Sequence, residues 1–472
     1  MSRGLDELLK TSSTPSRREL LRVPIRGLSG SRISQAANTR DILVVTDRGI
    51  AVAYLLPVTT ESSSWISLLG QTGGYLSINE FLDRWLAGTE KESIFPAFEE
   101  RRTATVAPPA PGVLGAHSEF DLARRRAIGI KISPHRESEG DKRTHLAAVT
   151  TDFLSNPTGT SVELELKSTD PALVLGELVR LISSLKEAMD PHFYLQGIGI
   201  SVAGHVREGT IVYSPDADWN DFAIGMLLGE ELQRIGIDAP IVVENDANAL
   251  AVRELRLHGI ADDDNMAVIL IAERGIGSGL VINGRLVRGV SGIAGEIGHI
   301  PIECDLKGAP IKCRCGNPDC LEMATAPHHI VEQIANEHHG FSGDLNDATE
   351  LIAAGVNGPI AAVFRRAGEA LGRAIASVIN LLNPSVIIFH GPASLLGDPR
   401  EFRGSDTSSG RGAASLYIQA MTERINSHSY SSGANDCRFV VRATDQLAGA
   451  AAAAACTLSE ARKWPELQGL TQ

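Results

Sequence analysis

The stretch that most constrains this chain combines one histidine with three closely spaced cysteines. His299 is followed by Cys313, Cys315 and Cys320 in the pattern H-x13-C-x-C-x4-C. Zn²⁺ takes four nitrogen and sulfur ligands in a tetrahedron at structural sites. A Gly-Asn-Pro turn at 316–318 can fold the chain back, which brings the cysteines on both sides of it to one ion. The spacing therefore predicts a closed, structural Zn²⁺ site.

Ordinary buried thiols are the alternative interpretation, since free cysteine is often a buried apolar residue. Four of the six cysteines of the 472-residue chain, however, lie between residues 304 and 320. This clustering favours metal binding. Cys304 is left outside the ligand set, and Cys437 and Cys456 are interpreted as ordinary buried thiols.

Two carboxylates flank the metal stretch. Glu296 comes three residues before His299, and Glu322 comes two residues after Cys320. An ion that held both ends of the stretch would direct both carboxylates toward one cleft. Carboxylates held at a cleft accept hydrogen bonds from the hydroxyls of a sugar. Solvated surface acids are the alternative.

The composition excludes several classes of protein. The formal net charge is −13, so the whole molecule has no general attraction for nucleic acid. No apolar run approaches the length of a membrane span, and the first residues form no apolar signal-peptide core. Clustered thiols without a secretion signal are typical of a reducing compartment. We expect a cytoplasmic protein of two or three domains with no membrane partner.

The first fifty residues are rich in arginine and poor in acids. A basic end on an acidic protein suggests a docking surface for the phosphates of DNA, and a solvated charged face is the alternative. The pattern predicts a short polar helix over Ser29–Asn38. Two strands, Ile42–Thr46 and Ile50–Leu56, are predicted around a tight turn at 47–49.

The segment VPIRGLSGSRIS…ILVVTDRGIAVAYLLPV, about residues 22–58, resembles the Phd-type antitoxin family. Members of that family carry the same V-T-D-R-G-x-x-V-A-x-L-x-P hairpin after an arginine-bearing helix, and they bind operator DNA as dimers. Gly27 stands where the family usually has an acid. The resemblance implies DNA contacts by Arg26, Arg32 and Arg48. A dimerisation or linker role without DNA binding is the alternative.

A proline-rich stretch, APPAPG at 107–112, predicts a stiff linker. We therefore divide the chain into an N-terminal domain at 1–105, a linker at 106–125, a first lobe at 126–250 and a second lobe at 251–472. The second lobe includes the metal site and the C-terminal helices. Strands alternate with helices in both lobes, which predicts an α/β fold with a parallel or mixed sheet.

One predicted strand of the first lobe, Ile241–Ala249, ends in polar residues. Asn245 and Asp246 lie near its carboxyl end, where ligands bind in sheets of this kind. Asp246 could act there as a general base toward a hydroxyl. The alternative is that Asp246 caps the alanine-rich helix that follows.

Six motifs occur in a fixed order: GIGISVAG, VVENDANALAVRE, GIGSGLVINGRLVRGVSGIAGEIGHI, CRCGNPDCLE, INLLNPSVIIFHGP and LAGAAAAA. This order resembles the ROK family of sugar kinases and sugar-responsive repressors, over about residues 126–456. The resemblance implies the two-lobed actin-like ATPase (ribonuclease H-like) fold, preceded here by a small α+β domain. It also implies a homodimer or homotetramer.

The family's functional residues carry over by position. The zinc ligands would be His299, Cys313, Cys315 and Cys320. The sugar contacts would be Asn245, Asp246, Glu296, His299 and Glu322. Asp246 would be the catalytic base in a kinase. The gap between His299 and Cys313 is longer than is usual in the family, which suggests an altered loop beside the sugar.

The phosphate loops depart from the pattern of kinase members. The first loop, D-x-G-G-T-K in kinases, corresponds to KISPHR at 131–136, so Lys131 replaces the aspartate that helps to hold Mg²⁺. The second loop, usually G-T-G-I-G, begins with Glu273, and the third, usually G-G, begins with His390. Phosphoryl transfer depends on positioning and neutralising phosphate charge. We therefore expect neither ATP nor Mg²⁺ as a cofactor.

Three functional hypotheses follow. The first is a transcriptional regulator whose N-terminal module binds DNA and whose kinase-like body binds a hexose or an amino sugar. The second is an ATP-dependent sugar kinase that uses Asp246 as its base. The third is a relic of the fold that binds neither and acts in protein interactions.

Overall fold

The computed structural model describes most of the chain beyond residue 123 and three strands before it. The described ranges are 20–24, 42–47, 50–55, 124–138, 141–258, 264–302, 313–355, 358–403, 412–443 and 445–460. The chain divides into two compact units, Met1–Gly115 and Ala116–Leu470.

The N-terminal unit contains a three-stranded sheet of β1 (Leu20–Pro24), β2 (Ile42–Asp47) and β3 (Ile50–Leu55). β2 is the central strand, with β1 parallel and β3 antiparallel to it. The predicted hairpin is confirmed to within one residue at each strand end, whereas β1 was not predicted. The predicted helix over 29–38, and Arg26, Arg32 and Arg48, lie outside the described residues.

The first lobe is a five-stranded sheet covered by helices. Its elements are β4 (Arg125–Ser138), β5 (Asp141–Asp152), β6 (Pro157–Leu166), α1 (Pro171–Ala188), β7 (Tyr194–Val202), β8 (His205–Arg207), β9 (Thr210–Ser214), β10 (Trp219–Phe222), α2 (Ile224–Arg234) and β11 (Ile241–Asn245). The sheet order is β11-β7-β4-β5-β6. β4, β5 and β6 are antiparallel, while β7 and β11 continue the sheet in parallel, because helical connections separate those strands along the chain. β8, β9 and β10 form a small separate sheet.

The second lobe is built around a six-stranded sheet in the order β14-β13-β12-β15-β17-β16. In chain order its elements are α3 (Asp246–His258), β12 (Met266–Ala272), β13 (Gly275–Ile282), β14 (Arg285–Val287), a 3₁₀ turn (Ile297–His299), α4 (Leu321–Thr325), α5 (Pro327–Glu337), α6 (Leu345–Ala353), α7 (Pro359–Leu382), β15 (Val386–Gly391), α8 (Ala393–Leu396), β16 (Arg400–Arg403), α9 (Ala413–His428), α10 (Ser431–Asp436), β17 (Arg438–Ala443) and α11 (Gln446–Glu460). The strand predicted over 241–249 ends earlier, because α3 begins at Asp246.

Successive side chains of β4 point to opposite faces of the first sheet, and helices cover both faces. Ile128, Ile130 and Ile132 are fully buried on the face that carries α1 and α2. Ala127 points to the opposite face and packs on Ala454 and Leu458 of α11. The C-terminal helix falls in the range assigned from sequence to the second lobe, yet its alanines lie against first-lobe strands.

Glycines in the first sheet allow α11 to approach. A Cβ added at Gly129 would lie 1.9 Å from the carbonyl oxygen of Ala450, and one added at Gly199 would lie 1.8 Å from that of Ala453. Side chains cannot occupy such distances, so the helix backbone contacts the strand backbone directly. The other side of α11 shares a core cluster with α3 and the second sheet. The two lobes are therefore fastened through α3 and α11.

We predict that Gly199→Ala destabilises the protein by about 3 kcal/mol or more, because the added methyl must displace α11. The measurement is the urea unfolding midpoint. Gly176→Ala is the matched control. Gly176 lies on the exposed face of α1 with nothing within 4 Å of an added Cβ, so helix propensity should make that change stabilising by about 0.5–1 kcal/mol. Equal effects of the two substitutions would contradict the packing argument.

Candidate functional site

The backbone around the predicted metal stretch brings its two ends together. Pro301 and Cys320 form a β-bridge, and the N–H of Leu321 donates to the carbonyl of Ile300 at 3.0 Å. His299, at the end of the 3₁₀ turn, therefore lies beside the cysteine that precedes α4. Between the last cysteines the chain reverses at Gly316, whose φ of +90° suits glycine.

The four predicted ligands converge. Their ligand atoms all lie within 4.8 Å of one another. His299 Nδ1 is 3.4 Å from Cys313 Sγ, and Cys315 Sγ is 3.5 Å from Cys320 Sγ. Zn–S and Zn–N distances of about 2.3 and 2.0–2.1 Å place tetrahedral ligand atoms about 3.3–3.8 Å apart. The donor set and its spacing fit a zinc ion. Residues 303–312, including Cys304, lie outside the described residues.

The thiols differ in how readily they ionise. Burial raises the pKa of Cys313, and the hydrogen bond from its thiol to Glu322 adds to this. Burial likewise raises the pKa of Cys320 to about 11. Burial also opposes ionisation of Cys315, but hydrogen bonds from the Asn317 N–H and the neighbouring thiols outweigh it, and its pKa is lowered. A zinc ion would hold coordinated cysteines as thiolates.

The two ring nitrogens of His299 face different groups. Nδ1 points to the cysteines, and Nε2 is 3.8 Å from Glu296 Oε2. Glu322 lies on the cysteine side and is 4% exposed. Its Oε1 accepts a hydrogen bond from the Cys313 thiol at 2.8 Å and lies 3.9 Å from His299 Nδ1. Glu296, by contrast, keeps 43% of its side chain exposed. One imidazole thus joins the metal cluster to an accessible carboxylate.

Asn245 and Asp246 lie where β11 becomes α3. Asn245 Oδ1 accepts from the N–H groups of Ala247 and Asn248 at 3.0 and 3.2 Å, and its amide donates to the Gly204 carbonyl at 3.0 Å. Asn245 is therefore the helix cap, the role that the sequence left open for Asp246. Asp246 Oδ1 accepts from the Ala247 N–H at 2.8 Å.

Two of the predicted carboxylates act on the pKa of a third. Burial raises the pKa of Glu296, and the negative charges of Asp246 and Glu322 add to this, while His299 and His205 oppose it. Burial also raises the pKa of Asp246, against the opposing effect of the Lys131 ammonium. These carboxyls form one cluster that is costly to charge, and hydroxyl donors would relieve that cost.

Contacts that join the two lobes beside this cluster were not predicted from the sequence. His205 Nε2 lies 2.6 Å from the carbonyl of Ser291, and Arg288 Nε donates to the buried Glu244 at 2.7 Å. A Cβ at Gly292 would lie 2.7 Å from the carbonyl of Val206. The only sequence signal for this contact was the polar Gly204-His205 pair after β7, which fixes no partner.

The positions that correspond to the phosphate loops are filled by protein groups. The Lys131 stem packs on Gly449, where a Cβ would lie 2.4 Å from its Cδ. Arg274 donates to the carbonyl of Arg136, on β4, at 3.4 Å. His390 and Glu254 are both 2% exposed, and His390 Nε2 lies 2.9 Å from Glu254 Oε1.

The comparisons with known proteins identify the family. The sequence profile of the ROK family matches residues 155–398, just over half of the chain. The chain belongs to the ROK family. Among the described residues, no helix is long and apolar enough to cross a membrane.

Relatives of both functional kinds resemble the chain. The xylose repressor of Bacillus spizizenii is 31% identical over 226 residues, which cover 47% of this chain and 55% of the repressor. A glucokinase of Halalkalibacterium halodurans is 34% identical over 218 residues, which cover 43% of this chain and 63% of the kinase. The chain thus spans about half the length of the curated relatives it matches.

The fold also matches solved structures. A ROK family transcriptional regulator, a homologue of the E. coli MLC protein, superposes with a TM-score of 0.56 at 21% identity, over 71% of this chain and 79% of that one. The predicted two-lobed actin-like fold is confirmed. The matches include repressors and kinases alike, so they leave the choice between those functions open.

If the cluster binds zinc as its geometry predicts, Cys315→Ser should abolish that binding and lower the thermal midpoint by more than about 5 °C, since metal binding stabilises the fold that forms the site. Metal content after desalting, by mass spectrometry, and a calorimetric scan are the measurements. Cys456→Ala, on α11 and outside the cluster, is the control and should retain one zinc per chain. Zinc content unchanged by Cys315→Ser would contradict the assignment of this ligand.

Proposed function

We propose that this protein is a sugar-responsive transcriptional regulator with a degenerate sugar-kinase body. The observation that carries the proposal is the contrast between the two sides of the cleft. Carboxylates and an imidazole gather where ROK proteins bind sugar, while lysine, arginine and a buried histidine–glutamate pair stand at the positions of the kinase phosphate loops.

The sugar side supplies hydrogen-bond acceptors in a partly dehydrated cleft. The negative charges of Asp246 and Glu322 raise the pKa of Glu296, and each of the three carboxylates accepts hydrogen bonds from hydroxyls when charged. His299 would present Nε2 to the sugar, because Nδ1 faces the cysteines. A zinc ion would fix the orientation of that imidazole, as second-shell contacts do for metal-bound histidines. Asn245 would act by holding the β11–α3 turn.

The nucleotide side is poorly suited to ATP. Mg²⁺ is bound through carboxylates and phosphate oxygens, yet Lys131 stands where kinase members carry the first aspartate. The ammonium acts on Asp246, which would need to act as the base in a kinase. Glu273, whose pKa is raised by burial, would repel a phosphate when charged. The pairing of His390 with Glu254 fills the third position.

DNA binding would come from the N-terminal unit. Arg26, Arg32 and Arg48 are the proposed contacts, on the resemblance to Phd-type antitoxins. Sugar binding would bias the arrangement of two such units in a homodimer or homotetramer, and the coupling would act in both directions.

Replacing the three arginines with neutral residues should abolish binding of the protein to the upstream DNA segment. The dependence of the binding affinity on salt concentration should then flatten.

A sugar kinase remains the second candidate, on one observation. Because Asn245 caps α3, the Asp246 carboxylate is not the helix cap, and its oxygens keep lone pairs beyond those used by the N–H groups of Ala247 and Asp246. Such an oxygen could accept the proton of a sugar hydroxyl as it attacks a phosphoryl group. A kinase would form a phosphorylated sugar with some nucleotide and Mg²⁺, whereas the regulator would bind sugar and DNA without turnover.

We predict that Asp246→Asn weakens binding of the recognised hexose at least about tenfold, as expected for a lost hydrogen bond to a charged group. Calorimetric titration with a panel of hexoses, with and without ATP and Mg²⁺, is the measurement. Asp238→Asn is the control, because Asp238 is exposed and precedes the amino end of β11, whereas Asp246 follows its carboxyl end. ATP binding strengthened by one sugar would overturn the regulator in favour of the kinase.

A further inference from the structure

We propose a second metal site, separate from the cysteine cluster, formed by His328, His329 and Glu332 on α5. The site would bind a divalent transition metal such as Zn²⁺, Co²⁺ or Ni²⁺, in competition with the guanidinium of Arg274. Nothing in this proposal depends on the sugar, the DNA or the zinc assigned to the cysteines.

The geometry of the three side chains suits an ion. Their ligand atoms lie within 4.8 Å of one another. His329 Nδ1 is 2.7 Å from Glu332 Oε2, and His328 Nε2 is 3.7 Å from Glu332 Oε1. Ligand atoms around a four-coordinate ion with bonds of 2.0–2.2 Å lie about 3.3–3.5 Å apart. The two separations lie on either side of that range.

The helix that carries the site is anchored in the core, and the three side chains of the site are open to solvent. Pro327 starts α5, and Ile330 and Ile334 anchor the opposite face of the helix in the core. The three candidate side chains retain 32%, 14% and 41% exposure, in chain order. An ion can therefore enter from solvent, and water can complete its coordination.

The ligand types select the class of metal. Imidazole nitrogens suit zinc, copper, nickel and iron, whereas Mg²⁺ and Ca²⁺ prefer oxygen. Two nitrogens and one carboxylate make a set that first-row transition ions bind and that the alkaline-earth ions do not. Mg²⁺ is therefore the internal negative control for any titration.

Arg274 is the competitor for the first ligand. Its Nη1 lies 3.3 Å from His328 Nε2, the nitrogen that faces Glu332, and its Nη2 donates to the carbonyl of Arg136. A metal at Nε2 must displace the first contact and would face a positive charge beside it. The backbone keeps these groups adjacent, since the His328 N–H donates to the Glu273 carbonyl at 2.9 Å. Removal of the guanidinium should therefore strengthen metal binding.

The test is calorimetric titration of desalted full-length protein with CoCl₂, NiCl₂ and ZnCl₂, with metal counts by mass spectrometry before and after. We expect one reversible equivalent beyond the ion that survives desalting. His329→Ala should weaken this equivalent at least tenfold, and Arg274→Gln should strengthen it severalfold. MgCl₂ should give no such binding.

His192→Ala is the matched control, because His192 forms an exposed histidine–carboxylate pair with Asp190 in the first lobe, and it should leave the reversible equivalent unchanged. The proposal is overturned if the wild-type protein takes up no reversible equivalent, or if His329→Ala binds like the wild type. It is also overturned if the control weakens binding as much as His329→Ala. Unchanged affinity in Arg274→Gln would overturn the competition.

Discussion

The structure depends on the direct backbone contact between α11 and the first sheet. Gly129 and Gly199 leave no side chain between them and the carbonyls of Ala450 and Ala453, so the helix sits closer to the strands than any larger residue would permit. The same helix shares a core with α3 and the second sheet. Because α3 starts at Asp246, the packing that fixes α11 also fixes the position of that carboxylate. The Lys131 ammonium is near enough to lower the pKa of Asp246, and the stem of Lys131 packs on Gly449 at the start of α11.

His299 is the corresponding link on the other side of the cleft. Its ring touches the cysteine cluster through one nitrogen and Glu296 through the other, so the state of the cluster sets the orientation of a group at the cleft. Glu322 behaves similarly, because its carboxyl accepts from Cys313 while it contributes to the charge around Glu296. A metal there would therefore influence ligand binding without lying in the cleft.

Local patterns predicted the N-terminal hairpin and the members of the cysteine cluster, but they did not predict contacts between residues distant in sequence. The convergence of three cysteines with His299 follows from the spacing of the residues along the chain. The capping role of Asn245 could not be predicted in this way, because either of two adjacent polar residues can cap a helix and only the backbone geometry decides which one does. The contact of His205 with Ser291 joins residues 86 positions apart, and no periodicity marks such a pair. The end of β11 was misplaced because an alanine-rich stretch continues the apolar pattern of the strand into the helix.

The positions that correspond to the kinase phosphate loops have gained charged groups as well as lost glycines. The loss of glycines alone would leave that side of the cleft open to water. Here Arg274 reaches from the β12–β13 turn to the Arg136 carbonyl. Arg314, which lies between two of the cysteines, contacts Asp216 and also donates to the Arg274 carbonyl at 3.1 Å. These contacts join the second lobe to the first. Arg314 lies within the cysteine stretch, so its interlobe contact and the order of the cysteine cluster draw on the same segment.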